Sequence, residues 1–350
     1  MSSPVVSIVI PTLRRPEALA SAAASALIQA LALDEELGAE LLVVDNDPGR
    51  SAELQVQALA RGAPMPVRYI HAAEPGVANA RNAGVAAARG AFIAFLDDDE
   101  IAPPGWLRAL IETQRRFAAD AVFGPVRARL PDGPLEHRDY LAGFFSRTGS
   151  DQARLIADGP GCGDSLVRKA ALPHPGEPFS SARNAIGGED DLMFAAMKAS
   201  GARFAWAPEA WVWEVPEPSR LTLAYTLRRA FSFGQGPCSQ AAATGGMHWA
   251  LVAPWMFVGL VQALYHGAQA LAALATGSPR RAFALDRAAR GLGKVFWFPP
   301  FKISFYGRAA LAAPPSDQSK GASHGRRHPL DPGAGEGLRP RQSEARPRPS

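Results

Sequence analysis

Three consecutive aspartates, Asp97, Asp98 and Asp99, follow the apolar run AFIAFL at Ala91–Leu96. Neighbouring carboxylates repel one another, and holding them together away from bulk water is costly without a cation. A hard divalent ion, Mg2+ or Mn2+, answers that need. Such ions take oxygen ligands, keep several waters, and share one or two protein carboxylates with substrate phosphates. The plainer alternative is a solvated acidic turn in which Asp99 or Glu100 caps a helix.

Other polar clusters recur at similar places. Asp45 closes ELLVVD, at a second strand end, where it suits a base or a ribose hydroxyl; an Asx-turn would use the same residue locally. Asn79, Arg81 and Asn82 lie in EPGVANARNAG, near a helix start. There they either face a nucleotide or form ordinary helix surface. In GGEDDL, two glycines precede Glu189, Asp190 and Asp191. Acids at a helix start are favoured by the helix dipole, and a carboxylate held there also suits a general base. The dipole alone would weaken that base, whereas a second carboxylate, Glu189 or Asp191, would push its pKa back up.

Positioning these groups is the work of alternating elements. Val5–Thr12, Glu40–Asp45, Val67–Ala72 and Ala91–Leu96 read as buried strands. Arg15–Ala32, Val77–Arg89 and Pro103–Phe117 read as helices. This alternation predicts an α/β fold, a mostly parallel sheet covered on both faces, with ligands at the carboxyl ends of its strands. Residues 126–218 are irregular and rich in Gly and Pro, with loop, helix and strands over Gly187–Glu214.

In their order, SIVIPTLRRPEAL, VVDND, EPGVANARNAGVAAARGAFIAFLDDDE, GDSLVRKAAL and GGEDDLMFAAMKASGARFAWAPEAWVWE make the chain resemble an inverting family 2 glycosyltransferase of GT-A fold. The resemblance runs from Val5 to Glu217 and is carried most specifically by the third motif. It implies a mixed sheet with helices on both faces and the transfer of a sugar from a nucleoside diphosphate, UDP by preference, to a hydroxyl. Pro11, Thr12 and Arg15 would line the nucleotide pocket, and Asp45 would contact the base. Asp97 and Asp98 would face ribose and metal, Asp99 would be the direct metal ligand, and Asp190, beside Glu189, the catalytic base. Asp164 stands where relatives often have Asn, at a place for acceptor or donor-sugar contacts. Many relatives have a His near the strand after the base helix; Glu214 is the nearest counterpart here. Processive polysaccharide synthases carry Q/R-x-x-R-W after the base. The segment Thr226–Phe231 has Arg228 and Arg229 in that region without the Trp, which implies single-sugar addition, with either arginine turned to a diphosphate.

The last third differs in character. From 219 to 310 there are ten Lys and Arg against one acid, Asp286. Within it, Trp249–Ala275 is apolar and long enough to span a bilayer, yet holds Pro254, Gln262, His266 and Gln269. Helices lying on an anionic membrane are expected, with a packed helical subdomain or a spanning helix as alternatives. The predicted organisation is a glycosyltransferase domain at 1–218 (nucleotide-binding half about 5–125, acceptor half about 126–218), a membrane-associating region at 219–312 and a disordered tail at 313–350.

The bulk composition, 350 residues with 47% hydrophobic and 20% charged, is that of a globular protein. Cys162 and Cys238 form no CxxC pattern, so neither a disulfide framework nor a cysteine metal site is expected. MSSPVVSIVIPT lacks the basic start of a signal peptide. The expected location is therefore cytoplasmic, at the inner face of the cell membrane, with a glycan or lipid-linked acceptor. Nucleic-acid binding is not expected, because the basic segment encloses a long apolar run. The competing classes are a nucleotidyltransferase, against which the absence of a Gly-rich phosphate loop in IPTLRRPEAL counts, and a non-catalytic nucleotide-sugar-binding scaffold.

Overall fold

A computed structural model describes residues 6–32, 38–184, 187–243 and 249–303. The expected tail at 313–350 lies outside the described residues. Strand β1 (Val6–Thr12) lies between β2 (Ala39–Asp45) and β4 (Phe92–Phe95), parallel to both, and β3 (Val67–His71) extends β2 in parallel. Their side chains alternate between two cores. Ile8, Ile10, Leu41, Val43 and Ala94 pack against α1 (Pro16–Leu27), α2 (Glu53–Ala60) and α4 (Trp106–Phe117). Val9, Leu42, Val44, Ile93 and Phe95 pack against α3 (Val77–Ala87) and α6 (Glu189–Ala199) on the other face. A strand buried on both faces needs apolar residues at every position, which is why these segments read as continuous apolar runs. Helix α3 lies so close to the sheet that a Cβ on Gly84 would meet Val9 Cγ1 at 2.5 Å.

The sheet is less parallel than the alternation suggests. Beyond β4 comes β9 (Ser165–Arg168), antiparallel to both β4 and β6 (Ala121–Phe123). β10 (Phe204–Trp206) runs parallel to β6, and β8 (Arg154–Ile156) closes the edge antiparallel. The order is β3-β2-β1-β4-β9-β6-β10-β8. Strand direction follows from the path of the chain between strands, which the side-chain pattern of a doubly buried strand does not encode. A small second sheet of β5 (Glu100–Ile101), β11 (Val212–Glu214) and β7 (Val126–Ala128) stands beside it. Helix α2 was not expected. Pro103 and Pro104 precede α4 rather than open it; the helix begins after Gly105, whose φ of +88° suits a glycine.

After a short helix α5 (Arg138–Phe144), the C-terminal helices α7 (Leu223–Ala243), α8 (Trp249–Ala275) and α9 (Arg281–Val295) pack together. Close crossings hold α9 between the other two: Gly293 lies against the Phe231 carbonyl of α7, and Gly291 against the Gly259 carbonyl of α8. Tyr140, Leu141 and Phe145 join Leu221 and Ala282 in a shared apolar cluster that ties these helices to the strand-rich part. Among the described helices, only α8 is long and apolar enough to cross a membrane.

Candidate active site

Thr12 ends β1 beside Asp45 at the end of β2, and Asp97 follows β4, so the carboxyl edge of the parallel strands gathers these residues. Residues 97–100 form a turn in which Glu100 N–H donates to the Asp97 carbonyl at 3.0 Å. Asp98 is buried and accepts from Thr12 Oγ1 at 2.8 Å and from Arg15 Nη1 at 2.7 Å. Asp99 Oδ2 receives Arg15 Nη1 and Arg220 Nη1, each at 3.2 Å, and Arg15 Nε reaches Glu217 at 2.8 Å. Arg220 and Glu217 are more than a hundred residues from Asp99 and carry no local sequence signal.

Asp97 belongs to a second ion cluster. Its Oδ1 accepts from Arg81 Nη2 at 3.1 Å, and Arg81 Nη1 pairs with Glu189 at the start of α6. Arg81 is 5% exposed, so it is a buried strut between the aspartate turn and the GGEDD helix start rather than a group presented to a nucleotide. The Asp190 carboxylate is oriented by two backbone donors, Cys162 N–H at 3.1 Å and Asp191 N–H at 3.0 Å. One turn thus faces a helix start across Arg81, with carboxylates on either side of it.

Electrostatics follow from burial. Burial and the neighbouring Asp98 raise the Asp99 carboxyl to about 7, with Arg15 pulling the other way. Burial raises Asp98 also, although Arg15 and Thr12 oppose it. Glu214 pairs in register with Glu100 and is pushed well up by burial and then by Asp99 and Asp97. Arg15, Arg81 and Arg220 are shared among Asp97, Asp98, Asp99, Glu189 and Glu217, with Glu214 close by, so carboxylates outnumber guanidiniums here, and the raised Asp99 and Glu214 carboxyls reflect that crowding. Among the described residues no three His, Cys, Asp or Glu side chains stand close enough to enclose a metal ion. Asp97 and Asp99 are the turn carboxylates that could contribute ligands to a metal, and hard divalent ions are commonly held by only one or two protein carboxylates.

Several expected contacts turn inward. Asp45 is fully buried; it accepts from Asp47 N–H at 3.0 Å, Ala52 N–H at 2.8 Å and the Tyr69 hydroxyl at 3.1 Å. It thereby shapes the loop after β2, as an Asx-turn does. Asn82 exchanges two hydrogen bonds with the Phe179 backbone, at 2.8 and 2.9 Å. Asn79 donates to the Glu74 carbonyl at 3.1 Å. The start of α3 is capped from afar by Asn184, whose Oδ1 accepts from Ala78 N–H at 3.0 Å and Asn79 N–H at 3.3 Å. Pro11 is half-buried at the end of β1. Arg229 stacks over Phe233 at 4.8 Å on α7, next to the exposed Arg228.

Asp164 lies deeper than its motif suggests. It was expected to touch acceptor or donor sugar, but it is wholly buried behind the turn, with Oδ1 accepting from Trp106 Nε1 at 2.7 Å. Its Oδ2 has no hydrogen-bond partner and lies 2.4 Å from where a Cβ on Gly124 would sit, with the Ala210 carbonyl oxygen 1.7 Å from that point. Burial raises this carboxyl to about 7. A raised carboxyl contributes stability that is complete below its unfolded value, near 3.8, and is lost as pH rises toward 7. Asn at this position tolerates the φ of +51° and removes the buried charge, giving up only a long, 3.9 Å ion contact from Arg147 Nη2. Asp164→Asn should therefore be more stable than wild type at pH 8, by up to about 3 kcal/mol, with the gap closing toward pH 4. Thermal unfolding across that range checks this; a variant less stable at pH 8 would refute the buried-charge account.

The sequence model of Glycosyl transferase family 2 matches residues 7–173. The succinoglycan biosynthesis protein ExoM of Rhizobium meliloti (strain 1021) is 36% identical over 231 residues, covering 66% of this chain and 73% of that protein. The uncharacterized glycosyltransferase EpsJ of Bacillus subtilis (strain 168) is 34% identical over 119 residues, covering 34% of this chain and 33% of its own length. Among solved structures, S. aureus TarS covers 65% of this chain and 39% of its own, with a TM-score of 0.45 at 15% identity.

Proposed function

The chain belongs to glycosyl transferase family 2, and from that premise we propose that it transfers one sugar, with inversion, from a UDP-sugar to a hydroxyl of a glycan or lipid-linked acceptor in polysaccharide assembly. The observation that carries this is the pairing of the aspartate turn with the α6 start through Arg81. It sets a charge-handling side and a proton-accepting side against each other. Membership of the family speaks for glycosyl transfer over nucleotidyl transfer.

In this reading, Asp190 takes the acceptor's proton as its oxygen attacks the anomeric carbon from the face opposite the diphosphate. The Cys162 and Asp191 amides fix the carboxylate's orientation, so no reorganisation is needed at the moment of attack. On the other side, negative charge builds on the leaving diphosphate. Arg15 and Arg220 stand at Asp99, where they can meet that charge, and Arg229 lies further along α7. A divalent ion bound at Asp99 and Asp97 would supply Lewis-acid neutralisation of the diphosphate.

Calorimetric titration with UDP tests the donor side. Wild type should bind UDP more tightly with Mn2+ than without, and Asp99→Ala should lose that metal dependence, with affinity falling at least about tenfold. Binding indifferent to both metal and variant would remove the role given to the aspartate turn.

We place the enzyme at the inner face of the cell membrane, with α8 lying in the interface. Gln262, midway along α8, donates to the Arg287 carbonyl of α9 at 2.9 Å and accepts from Lys294 at 2.9 Å. A crossing α8 would draw these α9 charges to bilayer depth, which is costly. An in-plane helix leaves them at the headgroups.

A further inference from the structure

Glu100 closes the aspartate turn, yet its side chain faces neither solvent nor the expected phosphates. It is 4% exposed and bends back beneath the turn. One oxygen, Oε2, accepts from Asp97 N–H at 2.9 Å and from Asp164 N–H at 3.2 Å. The second bond crosses to the loop 161–164, which carries the Cys162 N–H that aims Asp190. Arg147 fastens the same loop from outside, donating from Nη2 to the Gly163 carbonyl at 2.7 Å. Space under the turn is fully used. A Cβ on Gly163 would lie 2.8 Å from both Glu100 Oε1 and Asp97 Oδ2.

We propose that Glu100 is a positioning residue for glycosyl transfer, one oxygen of which sets the spacing between the donor-holding turn and the loop that orients the base. The inference rests on the reading of Asp97–Asp99 as the donor side and Asp190 as the base. Two bridges then join these sides. Arg81 links side chain to side chain, from Asp97 to Glu189. Glu100 links backbone to backbone, and backbone position decides where Cys162 N–H, and with it Asp190, comes to rest. A misplacement of about 1 Å at a reacting geometry costs on the order of 10²-fold in rate. Glu100 touches no substrate in this account, so its loss should fall on turnover and leave binding alone.

The test is a comparison of kcat, acceptor KM and UDP affinity across a short series. Glu100→Asp keeps the carboxyl group but is one methylene too short to reach both N–H groups. It should lower kcat about 10²-fold, with UDP affinity and acceptor KM within about threefold of wild type. Glu100→Gln, whose amide oxygen can accept both bonds, should recover most of that loss. Gly163→Ala presses on Asp97 as well as Glu100, so it should lower kcat together with UDP affinity, and the rescue by Glu100→Gln is what shows that a Glu100→Asp defect is not misfolding. Unchanged kcat in Glu100→Asp, or loss of its UDP binding in parallel with kcat, would overturn the inference. If Asp190→Asn kept full turnover, the underlying reading of the site would fall instead. If Asp190→Asn were inactive and the Glu100 series normal, only the positioning role would fall.

Discussion

Asp190→Asn is expected to lower kcat by about 10²–10⁴-fold, the usual contribution of a general base, while UDP affinity stays within about twofold. The amide keeps the size of the carboxylate and one oxygen to accept from Cys162 N–H, so the loop need not move. What it loses is the ability to take a proton. Because Asp190 lies across Arg81 from the aspartate turn, donor binding should not register the change. Single-turnover transfer to acceptor, read beside UDP titration, separates the two effects. Near-full turnover in the variant would rule Asp190 out as the base. A parallel loss in Glu189→Gln would be harder to read, since Glu189 pairs with the buried Arg81 and its neutral form would leave that guanidinium short of a partner.

The second large effect concerns the membrane. Purified protein should sediment with anionic vesicles, and Trp255→Glu, Phe257→Glu and Leu264→Glu together should release it. Helix α8 has 27 residues, and its most apolar window is only 11% buried within the protein. Phe257, Leu264 and Leu271 are 67, 66 and 70% exposed, a large apolar face for a soluble surface. Burying one such side chain contributes about 1.5–3 kcal/mol. Three replacements should therefore weaken partitioning by about 10³-fold or more. Lys and Arg near an anionic surface add about 1 kcal/mol each, so neutral vesicles should bind the wild type less. Arg281 and Arg290 are partly engaged with Glu136 and Asp286, which limits that contribution. Alkaline carbonate should extract the wild-type protein. Resistance to carbonate would mean that α8 crosses the bilayer, and wild type failing to bind vesicles would mean that its apolar face meets something else.

Much of this molecule is legible in its residues one stretch at a time. The short, β-branched apolar runs at Val6–Thr12 and Ala39–Asp45 predict strands buried on both faces. The order of acid clusters after strands and at a helix start points to the family without any tertiary information. The length and composition of α8 are properties of the chain itself. All of these are short-range patterns, set by periods of two or 3.6 residues and by the local chemistry of neighbours.

Which carboxylates face the reaction was decided elsewhere. Asp45 and Asp164 are as ready for ligand contacts in sequence as Asp99 is, but the first shapes a loop and the second is sealed behind Trp106. Arg81, equally suited to a nucleotide, is drawn inward by Asp97 and Glu189. Arg220 reaches Asp99 across 121 positions, and Glu100 reaches Asp164 across 64. Such pairings depend on the path of the backbone between distant segments and on the desolvation each charge meets at the end of it. A buried charge must find a partner wherever the fold supplies one. Residue type and spacing therefore determined the family and the elements of this protein, while tertiary packing determined which of its charges are sealed in buried pairs and which stand at the carboxyl edge of the sheet.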